Sequence, residues 1–141
     1  MRKLCVLVLI SILLLVGCTN RQIVKNLKVD EMELGERYGF TMLQVSFDTA
    51  AIKEAVVSRY DEKTEQIEAT YKNRVDHVFL EGDQAMEKLD SIFEEMEIDA
   101  KMDDEDLIKE VAKAFQMAEY KVLKLKVKFK GYETKELMLT K

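Results

Sequence analysis

Hydrophobic and polar positions alternate most strictly near the C-terminal end, where Leu123, Leu125, Val127 and Phe129 interleave with Lys124, Lys126, Lys128 and Lys130. A period of two puts each set on its own face of a strand, one buried and one solvated. Gly131 then marks a turn, and Leu137 and Leu139 share a face of the returning strand over 136–140. Upstream, Leu43, Val45 and Phe47 alternate with Gln44, Ser46 and Asp48 in a strand opening near Phe40. Two more extended runs, 55–60 and 66–71, flank the short polar stretch Asp61 to Thr64 and predict an antiparallel hairpin. The run 75–80 reads either as a short strand or as an extended approach to a helix that starts at Gly82 and Asp83.

Between these strands the period lengthens. Met86, Leu89, Phe93 and Met96 sit at offsets of three, four and three, which places them on one helical face. Ile108, Val111 and Phe115, supported by Ala112 and Ala114, repeat the pattern on a second helix. The run Asp103 to Asp106 falls at its start, where a carboxylate can cap free amides and all four favour the helix dipole. The predicted order is β-β-β-α-α-β-β: an α+β domain with a single antiparallel sheet of about five strands and two helices packed on one face.

The N-terminal end has a different pattern. Arg2 and Lys3 precede Leu4 to Val16, a run of 13 residues that is apolar except for Ser11. That is the order of a signal peptide. It falls short of the roughly 20 residues that cross a bilayer core as a helix. Leu15-Val16-Gly17-Cys18 resembles the lipobox of bacterial lipoproteins, which implies cleavage between Gly17 and Cys18 and diacylglycerol on the Cys18 thiol. The alternative is an ordinary secretory signal that ends in cysteine. With two acyl chains as anchor, the chain divides into a signal peptide (1–17), a lipidated cysteine with its tether (18–38) and a domain (39–141) on the outer face of the cytoplasmic membrane. The tether's 20 residues, 19 to 38, would reach at most about 70 Å. Cys5 lies in the discarded segment, so the expected mature chain has no disulfide.

Charge narrows the function classes. Without Arg2 and Lys3 the chain has 20 basic and 27 acidic residues, a net charge of minus 7. That balance argues against a nucleic-acid binder. The 124 residues from Cys18 to Lys141 suit one domain with its own core.

Several stretches together resemble a known family: Phe40 to Phe47, Glu68 to Tyr71, Leu80-Glu81-Gly82 ahead of Ala85, Ala114-Phe115, and Val127-Lys128-Phe129-Lys130-Gly131. The chain resembles the YusW-like family of small bacterial lipoproteins over about 38–140. The family usually has an acidic residue before the glycine of the last turn, where this chain has Lys130. The resemblance implies an envelope location in a single-membrane host and no assigned activity.

The candidate chemistry is sparse. His77 is the single histidine, in an extended segment with no adjacent nucleophile, so no catalytic residue is assigned. Asp99, Asp103 and Glu110 match the first, fifth and twelfth positions of a calcium loop, but Lys101 and Asp104 stand where an oxygen ligand and a glycine are needed. No metal or cofactor is expected. The row Lys124, Lys126, Lys128 and Lys130 is a candidate contact for anionic headgroups or wall polymer, although lysines paired across strands with Glu68 or Glu136 are also an ordinary solvated face. The expectation is a non-enzymatic domain that binds a protein or peptide partner near the membrane. A second reading is a small amphipathic ligand between sheet and helices, lined by Met86, Met96 and Met117.

Overall fold

The computed structural model describes residues 21–27 and 33–141, so the expected signal peptide, Gly17 and the expected lipidation site Cys18 lie outside the described residues. In chain order the elements are β1 (Ile23–Val24), β2 (Phe40–Asp48), β3 (Val56–Glu62), β4 (Ile67–Asn73), β5 (Val78–Glu81), α1 (Asp83–Glu94), α2 (Asp104–Ala114), β6 (Val122–Phe129) and β7 (Thr134–Thr140). The strands form one antiparallel sheet in the order β1-β4-β3-β2-β6-β7, and β5 also pairs with β4, on the edge it shares with β1. The α+β class and both helices agree with the sequence pattern. The sheet, however, has seven strands rather than about five. The added strands are β1 and β5, of two and four residues, too short to show a period.

The alternation of β6 does what its pattern predicts: Leu123, Leu125, Val127 and Phe129 are buried. Across from them on β2 stand Phe47, Val45, Leu43 and Phe40, so two alternating strands meet at the centre of the sheet with their apolar faces in register. Both helices cover that face. Phe93 of α1 packs edge-on against Phe40 and Tyr60, with ring centroids 5.1 and 5.5 Å apart, and Phe115 at the end of α2 lies 5.8 Å from Phe47. Leu89, Leu107 and Val111 complete the layer and are fully buried. Each such side chain contributes about 1.5–3 kcal/mol by leaving water.

The helix ends differ in detail from the pattern. α1 stops at Glu94, so Met96 lies beyond it, although still buried. Asp103 is the N-cap of α2 but makes no side-chain capping bond; Asp104, Glu105 and Asp106 sit in the first turn, where their charge favours the dipole. Asp104 accepts a hydrogen bond from Lys135 Nζ at 2.8 Å, tying α2 to β7.

The stretch expected to act as a tether is folded at both of its described ends. Ile23 and Val24 pair with Glu68 and Ile67, and Asp83 Oδ1 accepts hydrogen bonds from the backbone N–H groups of Lys25 and Asn26 at 2.8 and 2.9 Å. Gly82 makes this docking possible. A Cβ there would lie 2.6 Å from the Arg21 carbonyl and 2.9 Å from that of Ile23, and its φ of 61° is a conformation L side chains rarely adopt. At the other end the Gly35 N–H donates to Glu62 Oε1 (3.2 Å), and the Tyr60 hydroxyl donates to Glu62 Oε2 (3.0 Å). Tyr38 donates to Asp90, which also pairs with Arg37 at 3.1 Å. Burial, with the facing Glu62, raises Tyr60 above the usual phenol range; burial and Asp90 do the same for Tyr38.

Candidate functional site

One face of the sheet carries the helices and, among the described residues, the other carries none. Registers place Lys124, Lys126 and Lys128 of β6 opposite Ser46, Gln44 and Met42 of β2, and opposite Met138, Glu136 and Thr134 of β7. Gln44 in turn faces Arg59 of β3, and Arg59 faces Thr70 of β4. The twist expected of such a sheet bows this surface. It holds a concavity of about 670 Å³ lined by, among others, Gln44, Ser46, Arg59, Thr70, Lys124, Lys126 and Met138. A second hollow of about 620 Å³ continues toward β5, lined by Arg21, Thr70, Lys72, Phe79 and Glu81, and Gln22, Val57 and Thr70 border both.

The lysine row divides on inspection. Lys126 is half-buried and bonded to Glu136 at 2.8 Å, a cross-strand pair of the kind the alternation suggests. Lys124 and Lys128 are exposed and have no acidic partner among the described residues. Lys130 lies past the end of β6, and its ammonium is held at 2.8 Å by Glu33, which thereby sits below the usual carboxylate range. Three lysines, not four, therefore share the strand face.

At the β1 end of this face Glu68 is engaged by Lys63 at 3.0 Å, Arg59 at 3.8 Å and the Gln66 amide at 2.9 Å. The Lys63 hydrogen bond is the largest cause holding its carboxyl below the usual range. Arg59 also pairs with Asp61 at 3.2 Å. The expected pairing of Glu68 with the β6 lysines does not form, because β2 and β3 lie between them.

The other candidates lie apart from this face. His77 is exposed in the turn between β4 and β5 at φ 55°. Asp99 accepts a hydrogen bond from the Lys101 N–H at 2.7 Å, closing a local turn, and among the described residues no group of three or more His, Cys, Asp or Glu side chains converges to hold a metal. Met86 and Met96 are buried core, and Met117 is half-buried beyond α2. What the sequence reading missed is the contribution of Gln44, Arg59 and Thr70. No spacing rule links them; only the pairing register does.

A sheet with one face covered by two helices and the other open, polar and concave defines a small α+β domain whose candidate site is a surface rather than a cleft. Residues 40–131 match the YusW-like protein family, and the chain belongs to that family. No curated protein and no solved structure matches the chain.

Proposed function

We propose that this is a non-enzymatic binding domain, held at the outer face of the cytoplasmic membrane by diacylglycerol on Cys18, and that it binds through the helix-free face of its sheet. The observation that carries the reading is the open concavity of about 670 Å³ on that face. Its lining mixes amide, hydroxyl, ammonium and guanidinium groups with an exposed thioether, Met138. Such a surface offers hydrogen bonds and charge over a broad area. The space between sheet and helices, the alternative place for an amphipathic ligand, is filled by Leu43, Tyr60, Leu89 and Val127, all fully buried. That favours the open face.

The test is in-cell photo-crosslinking from Gln44 on the open face and from Glu105 on α2. Adducts from Gln44 and none from Glu105 support the proposal, whatever the molecule captured; adducts from Glu105 alone, or from neither position, count against it. Cys18→Ala supplies the control for anchoring and is expected to release the protein from the membrane fraction.

A further inference from the structure

The helical segment and the open face of the C-terminal hairpin carry opposite net charge. Residues 83–119, which hold both helices, contain 13 acidic and 4 basic residues, a net charge of minus 9. On the hairpin of β6 and β7 the charged side chains of the open face are Lys124, Lys126 and Lys128 with Glu136, a net charge of plus 2, whereas Lys135 is tied to Asp104 of α2 and Lys130 to Glu33. On the open face of that hairpin Lys124 and Lys128 have no acidic partner among the described residues. An anionic surface therefore repels the helical side and attracts the helix-free side.

The chain also enters the fold on that side. Gln22 borders both hollows of the open face, and Arg21 lines the second one beside Lys72 and Phe79. Because β1 is fastened to β4 and Asp83, the docked chain begins at Arg21, three residues from Cys18, rather than near residue 38. Three residue steps span at most about 11 Å. Phe79 stands 59 % exposed near this point, an apolar ring that can insert at the boundary of headgroups and acyl chains, with Lys72 Nζ 5.8 Å from its ring centroid.

We infer that the helix-free face is a docking surface for the anionic headgroups of the membrane that carries the anchor, so that the sheet lies against the bilayer and the acidic helices face away. This rests on the proposed acylation of Cys18 and names what the open face binds. Lys124 and Lys128 meet headgroup phosphates, and Phe79 enters the interface beside the anchor.

The experiment uses the full mature lipoprotein on vesicles, with single cysteines introduced at Met138 or Glu105, labelled with a fluorophore and quenched by spin-labelled headgroups. On vesicles containing phosphatidylglycerol, the probe at Met138 is expected to be quenched several-fold more than the probe at Glu105. Lys124→Glu with Lys128→Glu should remove most of that difference. Equal quenching at the two positions, or stronger quenching at Glu105, overturns the inference. Quenching at Met138 that ignores both phosphatidylglycerol and the lysine reversal overturns headgroup binding. Mass spectrometry of the same preparation separates anchoring from orientation. Absence of diacylglycerol on Cys18 sinks the anchored reading and this inference together, whereas an acylated protein with an unoriented domain sinks the inference alone.

Discussion

Ser58 lies on β3 between Val45 and Tyr71, 1 % exposed, and its hydroxyl has no hydrogen-bond partner among the described residues. A buried hydroxyl without a partner costs about 1–3 kcal/mol. Ser58→Ala removes the group and little volume, so thermal unfolding of the variant is expected to occur at an unchanged or higher temperature; a clear fall would show that the hydroxyl has a partner in solution. Glu68 makes the opposite case. Its carboxyl titrates below the usual range in the folded state, so the stability it contributes is present above the ordinary carboxyl pKa and is lost as pH falls through the lowered one. Glu68→Gln should therefore destabilise the protein near neutral pH, and the gap from the parent should narrow steadily as denaturant titrations move from pH 6 toward about pH 3. A gap that stays constant would assign the residue's contribution to packing instead.

At the scale of elements, legibility in the sequence followed length and one-sidedness. β6 and β2 each present one buried and one open face over eight and nine residues, and their alternation is plain. β5 pairs on one side only and is half-buried or exposed along its length, so no periodicity identifies it. β1 exists because Gly82 lets the backbone of residues 21–23 cross it closely, a contact between segments 60 residues apart that no local window contains. The same physics hid the candidate site. Its lysines were visible as a row, but the concavity also needs Gln44, Arg59 and Thr70, which are neighbours only once β2, β3 and β4 pair. Gly82→Ala tests the junction directly. A Cβ 2.6 Å from the Arg21 carbonyl, in a positive-φ conformation, must displace β1, at a cost of about 1–3 kcal/mol. Limited trypsin digestion should then cut after Arg21 and Lys25 well before the rest of the domain; unchanged protection of those sites would mean that β1 docks without the glycine.

For the whole molecule the proposed docking on a membrane would rest on two influences that differ in range. With Cys18 acylated as proposed, the three residue steps from Arg21, at most about 11 Å, would keep the domain near the bilayer whatever the lipid charge. The field acts through Lys124, Lys128 and their neighbours at about 1 kcal/mol per basic residue near an anionic surface, opposed by the net minus 9 of residues 83–119 on the far side. That field fades over about 8 Å at physiological ionic strength and about 3 Å at molar salt. A flexible Gly/Ser insert of about 15 residues between Asn20 and Arg21 separates the two, since its root-mean-square length of about 20 Å lets the domain turn over freely. The extended variant should keep its sheet toward phosphatidylglycerol vesicles at low salt, and lose that preference in molar salt or on neutral vesicles. The parent, held by its short link, should lose most of the preference in molar salt or on neutral vesicles but keep a residual one that the extended variant lacks. Headgroup quenching at Met138 and Glu105 reads both proteins on one scale. If the extended variant were disordered in orientation even at low salt, the link alone would orient the domain and the lysines would have no part in it.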